Sequence, residues 1–183
     1  MKQGSLSKSI LIRAAIPGDE SDVARVHVRA WQVGYRGLLS DAYLIGLRPE
    51  DRAKRYTFGE ASRSRPKTLV ATEAGAIVGF ATISPAQDDD RTSPAELNAL
   101  YVDPDCWKRG IGAALESAAR ASLVQLGYGR AILWVLAGNT RAMRFYESQG
   151  WANEGTSRQA DVWDITVPEL RFARSLDSKE ITR

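Results

Sequence analysis

Apolar residues recur at spacings of three and four between Asp19 and Gly34. Val23, Val26, His27, Ala30 and Trp31 share one face, and this pattern predicts a helix. Pro17-Gly18 breaks the chain ahead of it, and Ile10-Leu11-Ile12-Arg13 before that break predicts a strand. Beyond Gly34 a second helix is predicted from Ser40, a good N-cap residue, to Leu47, and a third over Pro49–Phe58, with proline in its first turn. Thr68–Thr72 and Ile77–Ile83 predict a hairpin, and Glu96–Val102 a further strand that Asp103-Pro104 stops. Gly110–Leu126 predicts a long amphipathic helix with Ile111, Ala114, Leu115, Ala118 and Ala119 on one face, ended by Gly127 and Gly129. Ile132–Leu136 is continuously apolar, as strands are when both faces are covered. Asn139 caps a helix reaching Gln149, and Trp151–Thr156 and Val167–Ala173 predict closing strands.

The order is strand, helices, three strands, helix, strand, helix, two strands. It predicts one mixed sheet with helices on both faces, class α+β. Residues 1–8 form a polar arm expected to be disordered, 9–176 a single domain, and 177–183 a polar tail. Residues 61–66 and 85–94 are expected to be solvated loops.

Composition narrows the classes. At about 150 residues per domain, 183 residues make one domain, and 44% hydrophobic with 26% charged residues is ordinary for a globular chain. The single cysteine, Cys106, excludes an internal disulfide, and one thiol with one histidine excludes a cysteine zinc site, so no metal is expected. A net charge of +3 does not point to nucleic acid. The longest apolar run, Ala131–Ala137, is far shorter than the ~20 residues of a membrane helix. Met1–Ser9 lacks the apolar core of a secretory signal, so the expected compartment is the cytoplasm.

The chemistry concentrates in Trp107-Lys108-Arg109-Gly110-Ile111-Gly112-Ala113, between a predicted strand and a long helix. Glycines allow a ligand close to the backbone, and a helix N-terminus presents unpaired N–H groups and partial positive charge, a combination suited to pyrophosphate. Lys108 and Arg109 add charge for further phosphates. A Gly-x-Gly before a helix is equally compatible with a plain tight turn; no Gly-Lys-Ser/Thr follows, and the dinucleotide fingerprint is incomplete.

The flanking segments, Ala95-Glu96-Leu97-Asn98-Ala99-Leu100-Tyr101-Val102-Asp103-Pro104 and Asn139-Thr140-Arg141-Ala142-Met143-Arg144-Phe145-Tyr146-Glu147-Ser148-Gln149-Gly150-Trp151, add specificity. With them the sequence resembles the GNAT superfamily of acetyl-CoA-dependent N-acetyltransferases. The three motifs stand in the family's order over about 95–151, and the order of elements agrees over about 10–174. The resemblance implies a three-layer α/β sandwich around a mixed, mostly antiparallel sheet whose central parallel strands splay apart. Coenzyme A would lie in that wedge. Backbone groups of Leu100, Tyr101 and Val102 would pair with its pantetheine arm. N–H groups of Arg109, Gly110, Ile111, Gly112 and Ala113 would hold the pyrophosphate, with Lys108 alongside. Asn139, Ala142 and Phe145 would line the opposite wall. Trp107 departs from the family, which usually places Gln or Arg there, and this shifts phosphate binding toward Lys108 and Arg109.

Acyl transfer to an amine needs a proton acceptor for the amine and a proton donor for the departing thiolate. The resemblance assigns the donor to Tyr146 and the acceptor, directly or through water, to Glu96. Packing of Tyr146 against the sheet and solvation of Glu96 are the plainer readings. Trp31, Tyr35 and Arg36 are placed near the acceptor, although aromatic residues at a helix break are more often core. His27 reads as a core histidine, Cys106 as incidental, and Asp88-Asp89-Asp90 as a solvated loop. The expectation is direct transfer from acetyl-CoA to an amine of a small molecule or peptide. The alternatives are an acyl-CoA-binding regulatory module without turnover, or a different short acyl group. Exposed sheet edges near 151–174 leave room for a homodimer.

Overall fold

The computed structural model describes residues 9–59, 66–84 and 94–176. The arm 1–8, the tail 177–183 and Asp88-Asp89-Asp90 lie outside the described residues. The strands are β1 (Ile10–Ala14), β2 (Lys67–Glu73), β3 (Ala76–Ser84), β4 (Ala95–Val102), β5 (Arg130–Leu136), β6 (Ala152–Val162) and β7 (Ile165–Ser175). The helices are α1 (Glu20–Gly34), α2 (Asp41–Gly46), α3 (Pro49–Ala53), α4 (Ile111–Gln125) and α5 (Thr140–Ser148), with one 3-10 turn at Pro104–Cys106. The strands form one sheet in the order β1-β2-β3-β4-β5-β7-β6. Every neighbouring pair is antiparallel except β4 and β5.

Both faces are covered, as predicted. Ile111, Leu115, Ala119 and Leu123 of α4 pack on Leu97, Ala131, Leu133, Val135 and Phe172. On the other face Val23 and Val26 of α1 meet Val70, Ile77 and Phe80. Alternation along β2, with Leu69 and Ala71 in the first cluster and Val70 in the second, separates the two cores. Arg25 and Arg29 fasten α1 to the end of β4 through the buried carboxylate of Asp103, at 3.3 and 3.0 Å.

The parallel pair is barely a pair. Only Ala95↔Ala131 and Glu96↔Ile132 are in register before β4 and β5 part. The parting follows a bulge in β4: Leu97 faces Ile83 and Ala99 faces Thr82, so Asn98 is an extra residue. A bulge bends its strand and sharpens its twist, which turns the far half of β4 away from β5.

Two boundaries differ from the pattern-based prediction. The third helix ends at Ala53 rather than Phe58, because Tyr56 and Phe58 turn onto the cluster containing Phe80. The closing strands run to Val162 and from Ile165, longer than expected. A two-residue turn joins them, with Trp163 and Asp164 both left-handed at φ 51° and 66°. This is the geometry that matches the strand twist in a tight hairpin, made here without the usual Asn-Gly.

Candidate active site

The divergence of β4 and β5 opens a wedge of about 80 Å³. Leu97 to Tyr101 form one wall; Trp134 to Leu136 with Asn139, Arg141, Ala142 and Tyr146 form the other; Ala30 of α1 and Tyr35, just past its end, overhang it. From Leu97 onward the edge of β4 that faces β5 has no strand partner.

At one end of the wedge stands the N-terminus of α4. Its N-cap, Gly110, is left-handed at φ 79°, no side chain caps the first turn, and that turn carries no acidic residue. The N–H groups of a first helical turn have no partner within the helix. Gly112 brings the helix close to the far wall: a Cβ there would meet the Phe145 ring at 3.5 Å and Leu100 at 3.8 Å. Asn139 is buried and spends its side-chain oxygen on the N–H of Ala142, at 3.1 Å, as the cap of α5. Lys108 is exposed and left-handed at φ 59°. The Arg109 guanidinium is bonded to the Glu73 carboxylate and donates to Cys106 Sγ at 3.6 Å. Of the two cations, Lys108 alone has no ion-pair partner among the described residues. Trp107 turns inward instead. Its Nε1 donates to the Val102 carbonyl at 2.7 Å, so one backbone group expected to face the ligand already has a partner.

Tyr146 is buried in the wedge wall, and burial pushes its phenol well above the ordinary tyrosine value, with Tyr101 and Glu116 adding to the shift. Behind it the Trp151 ring packs edge-on with centroids 6.2 Å apart. Trp151 Nε1 donates to the fully buried Glu116 at 2.9 Å, and Arg120 Nε donates to the same oxygen at 2.9 Å. The phenol is therefore packed against a ring that is itself tied down.

Glu96 lies at the last register pair before the strands part. It is half-buried, and that burial raises its carboxyl above the usual range; Arg158 and Asn98 oppose the shift and Glu169 adds to it. Glu169 pairs with Arg158 at 2.8 Å, and the Arg158 guanidinium lies 4.0 Å over the Trp134 ring. The charge of Glu169 also helps raise Tyr35 and Tyr101, after burial. Sequence reasoning missed Glu169. It stands in a predicted strand, but nothing in the pattern says that β7 lies beside β5.

On the overhanging side, Trp31 stacks on Trp163 at 4.1 Å and meets Tyr35 edge-on at 4.8 Å. The Tyr35 and Tyr101 hydroxyls are 3.2 Å apart. Trp163 comes from the tip of the β6–β7 hairpin, which Tyr43 holds by donating to the Trp163 carbonyl at 2.8 Å. His27 is buried, stacks on Tyr101 at 4.4 Å and bonds Tyr56 Oη through Nδ1 at 2.6 Å. It fills the core, as expected. Arg36 is not brought into the wedge. It is exposed and borders a broader concavity of about 430 Å³ with Gln32, Asp41, Leu44 and Ile45. Among the described residues no group of three or more His, Cys, Asp or Glu is placed to hold a metal, and no helix is long and apolar enough to cross a membrane.

A sheet split at its one parallel pair among the described residues, with an uncapped helix N-terminus beside the split, defines an α+β class of protein. Comparison with known proteins gives that class its family. The Acetyltransferase (GNAT) family profile matches residues 33–151. An uncharacterized N-acetyltransferase of Archaeoglobus fulgidus is 35% identical over 140 residues, covering 75% of this chain and 90% of its own. N-acetyltransferase YuaI of Bacillus subtilis, likewise uncharacterized, is 29% identical over 140 residues, 76% of this chain and 78% of its own. Among solved structures, the PaiA N-acetyltransferase of Thermoplasma acidophilum in complex with coenzyme A superposes with a TM-score of 0.70 at 22% identity, over 91% of this chain and 99% of its own. A Salmonella typhimurium structure, yncA, that contains its cofactor acetyl-CoA gives 0.68 at 18% identity, over 93% and 95%. The chain belongs to the GNAT acetyltransferase family, and its class of activity is acyl-CoA-dependent acetyl transfer.

Proposed function

We propose that this protein transfers the acetyl group of acetyl-CoA directly to an amine of a small molecule or peptide held between α1 and the β4–β5 wedge. The observation that carries the reading is the placing of Tyr146 and Glu96 at two points of the parting between β4 and β5. The residues fit the cosubstrate. The uncapped first turn of α4 and Lys108 receive the pyrophosphate. The unpartnered edge of β4 from Leu97 receives the pantetheine amides, with Asn139, Ala142 and Phe145 opposite. The Val102 carbonyl is engaged by Trp107, which leaves more of that pairing to Leu100 and Tyr101.

In the transfer, the amine nitrogen forms a bond to the acetyl carbonyl carbon and the carbon–sulfur bond breaks. Glu96, directly or through water, takes the proton the amine loses. Tyr146 gives its phenolic proton to the departing thiolate. The pKa direction suits the base more than the acid. The raised Glu96 carboxyl is a stronger base than an ordinary one, while the burial that raises the Tyr146 phenol makes it a weaker acid, so its proton moves only as negative charge builds on the sulfur beside it. The acceptor, neutral when it attacks, faces Trp31 and Tyr35.

The test is acetyl-CoA turnover against a panel of amines, amino acids and peptides, scored by free coenzyme A. Acetyl-CoA-dependent release with at least one amine class is the expected result. Tight acetyl-CoA binding with no release across the panel makes the protein an acyl-CoA-binding regulatory module instead. Faster release from propionyl- or succinyl-CoA overturns the choice of acetyl.

A further inference from the structure

Arg141 is the charged residue that lines the wedge on the α5 side. Its guanidinium lies 3.5 Å from the centroid of the Trp107 ring. Among the described residues it has no carboxylate partner, and desolvation lowers its pKa. Three elements meet at this point. Arg141 comes from α5, beyond β5. Trp107 comes from the loop after β4 and is anchored to that strand through Nε1 and the Val102 carbonyl, at 2.7 Å. Gly34 closes α1, and a Cβ on it would stand 3.0 Å from Arg141 Nη2 and 3.9 Å from the Trp107 ring. The absence of a side chain at Gly34 is what leaves room for the guanidinium. The stack thus joins the two walls of the wedge beyond Glu96 and Ile132, where the strands share no further register pairs.

We propose that the Arg141–Trp107 stack is a clasp across the wedge that closes over the pantetheine arm of bound coenzyme A and slows its release. The clasp rests on the proposed placing of coenzyme A in the wedge. Trp107 suits the part: its indole offers a face to the guanidinium and an N–H to the strand. A cation on an indole face is among the stronger interactions of its kind when partly desolvated.

The test follows coenzyme A release from the full chain in stopped flow, chased with excess acetyl-CoA, beside equilibrium binding of adenosine 3′,5′-bisphosphate, which has the phosphates but no pantetheine arm. Arg141→Ala and Trp107→Leu are expected to speed release roughly 3- to 30-fold, the range that cation–π energies imply. The double variant should release no faster than the quicker single one, because both remove the same stack. Gly34→Ala, which keeps both partners but crowds the guanidinium, should also speed release. Bisphosphate affinity should stay within about twofold throughout. Unchanged release in Arg141→Ala, with the parent binding coenzyme A normally, overturns the clasp and leaves the acetyltransferase reading standing. An equal loss of bisphosphate affinity makes Arg141 a phosphate ligand and also overturns it. No coenzyme A binding by the parent overturns the placing of the ligand, and the clasp with it.

Discussion

Tyr146→Phe removes one hydroxyl and leaves a ring of the same shape against Trp151. A positioned general acid contributes about 10²–10⁴-fold, so kcat should fall by that factor while acetyl-CoA affinity stays within about threefold, since one hydrogen bond is worth about 1 kcal/mol or less. Steady-state kinetics beside calorimetry decide it; equal kcat makes the phenol packing alone. As the proposed base, Glu96 should set the acidic side of the rate profile. The base must be ionised, so the rate rises with pH through its pKa, and because burial raises that pKa the rise should lie above the usual carboxylate range. Glu96→Gln should abolish that limb. His27 gives a stability test. Desolvation first, and then the charge of Arg52, hold it well below its ordinary value of 6.5. The folded state therefore binds fewer protons than the unfolded one below that pH, and stability falls as the solution is acidified through it. Urea midpoints from about pH 8 to 5 should show the decline, and His27→Gln should flatten it.

At the level of elements, α4 and the β6–β7 hairpin matter most. The N-cap of α4 is left-handed Gly110, with nothing within 4 Å of where a Cβ would stand. Gly110→Ala therefore costs through backbone strain and not collision, on the order of 1 kcal/mol. It should weaken acetyl-CoA binding by distorting the first turn while circular dichroism stays native. Most elements are legible in the sequence because they bury one face. The apolar spacing of α1 and the uninterrupted run of β5 each report a packing partner directly. The six residues from Ser157 to Val162 do not, because β6 is an edge strand and all but Ala160 and Val162 among them are exposed. Phe58 falls outside its predicted helix for the opposite reason: a tertiary partner drew it out of a locally acceptable turn. At the site, the residues carried by the motifs, Gly110–Ala113, Asn139 and Tyr146, are brought together around the wedge. Glu169 and Trp163 come near its flanks only through the pairing of β7 with β5 and β6, and Arg36 is directed elsewhere by the end of α1. Long-range pairing leaves no local trace, so these positions could not be read in advance.

The whole molecule is two half-sheets, β1–β4 and β5–β7, joined by two register pairs and by α4 with its underlying core. An ordinary sheet is best protected at its centre and frays at its rim. Here the order is inverted: on β4 the backbone from Leu97 to Val102 stands in the middle of seven strands with one side unpaired. In deuterated solvent those amides that point toward the wedge should exchange faster than their neighbours bonded to β3, although both are central. Saturation with coenzyme A should slow them selectively, since an extended ligand on that edge would complete the interrupted ladder. The isotope pattern would then read as an eighth strand that comes and goes with each catalytic cycle.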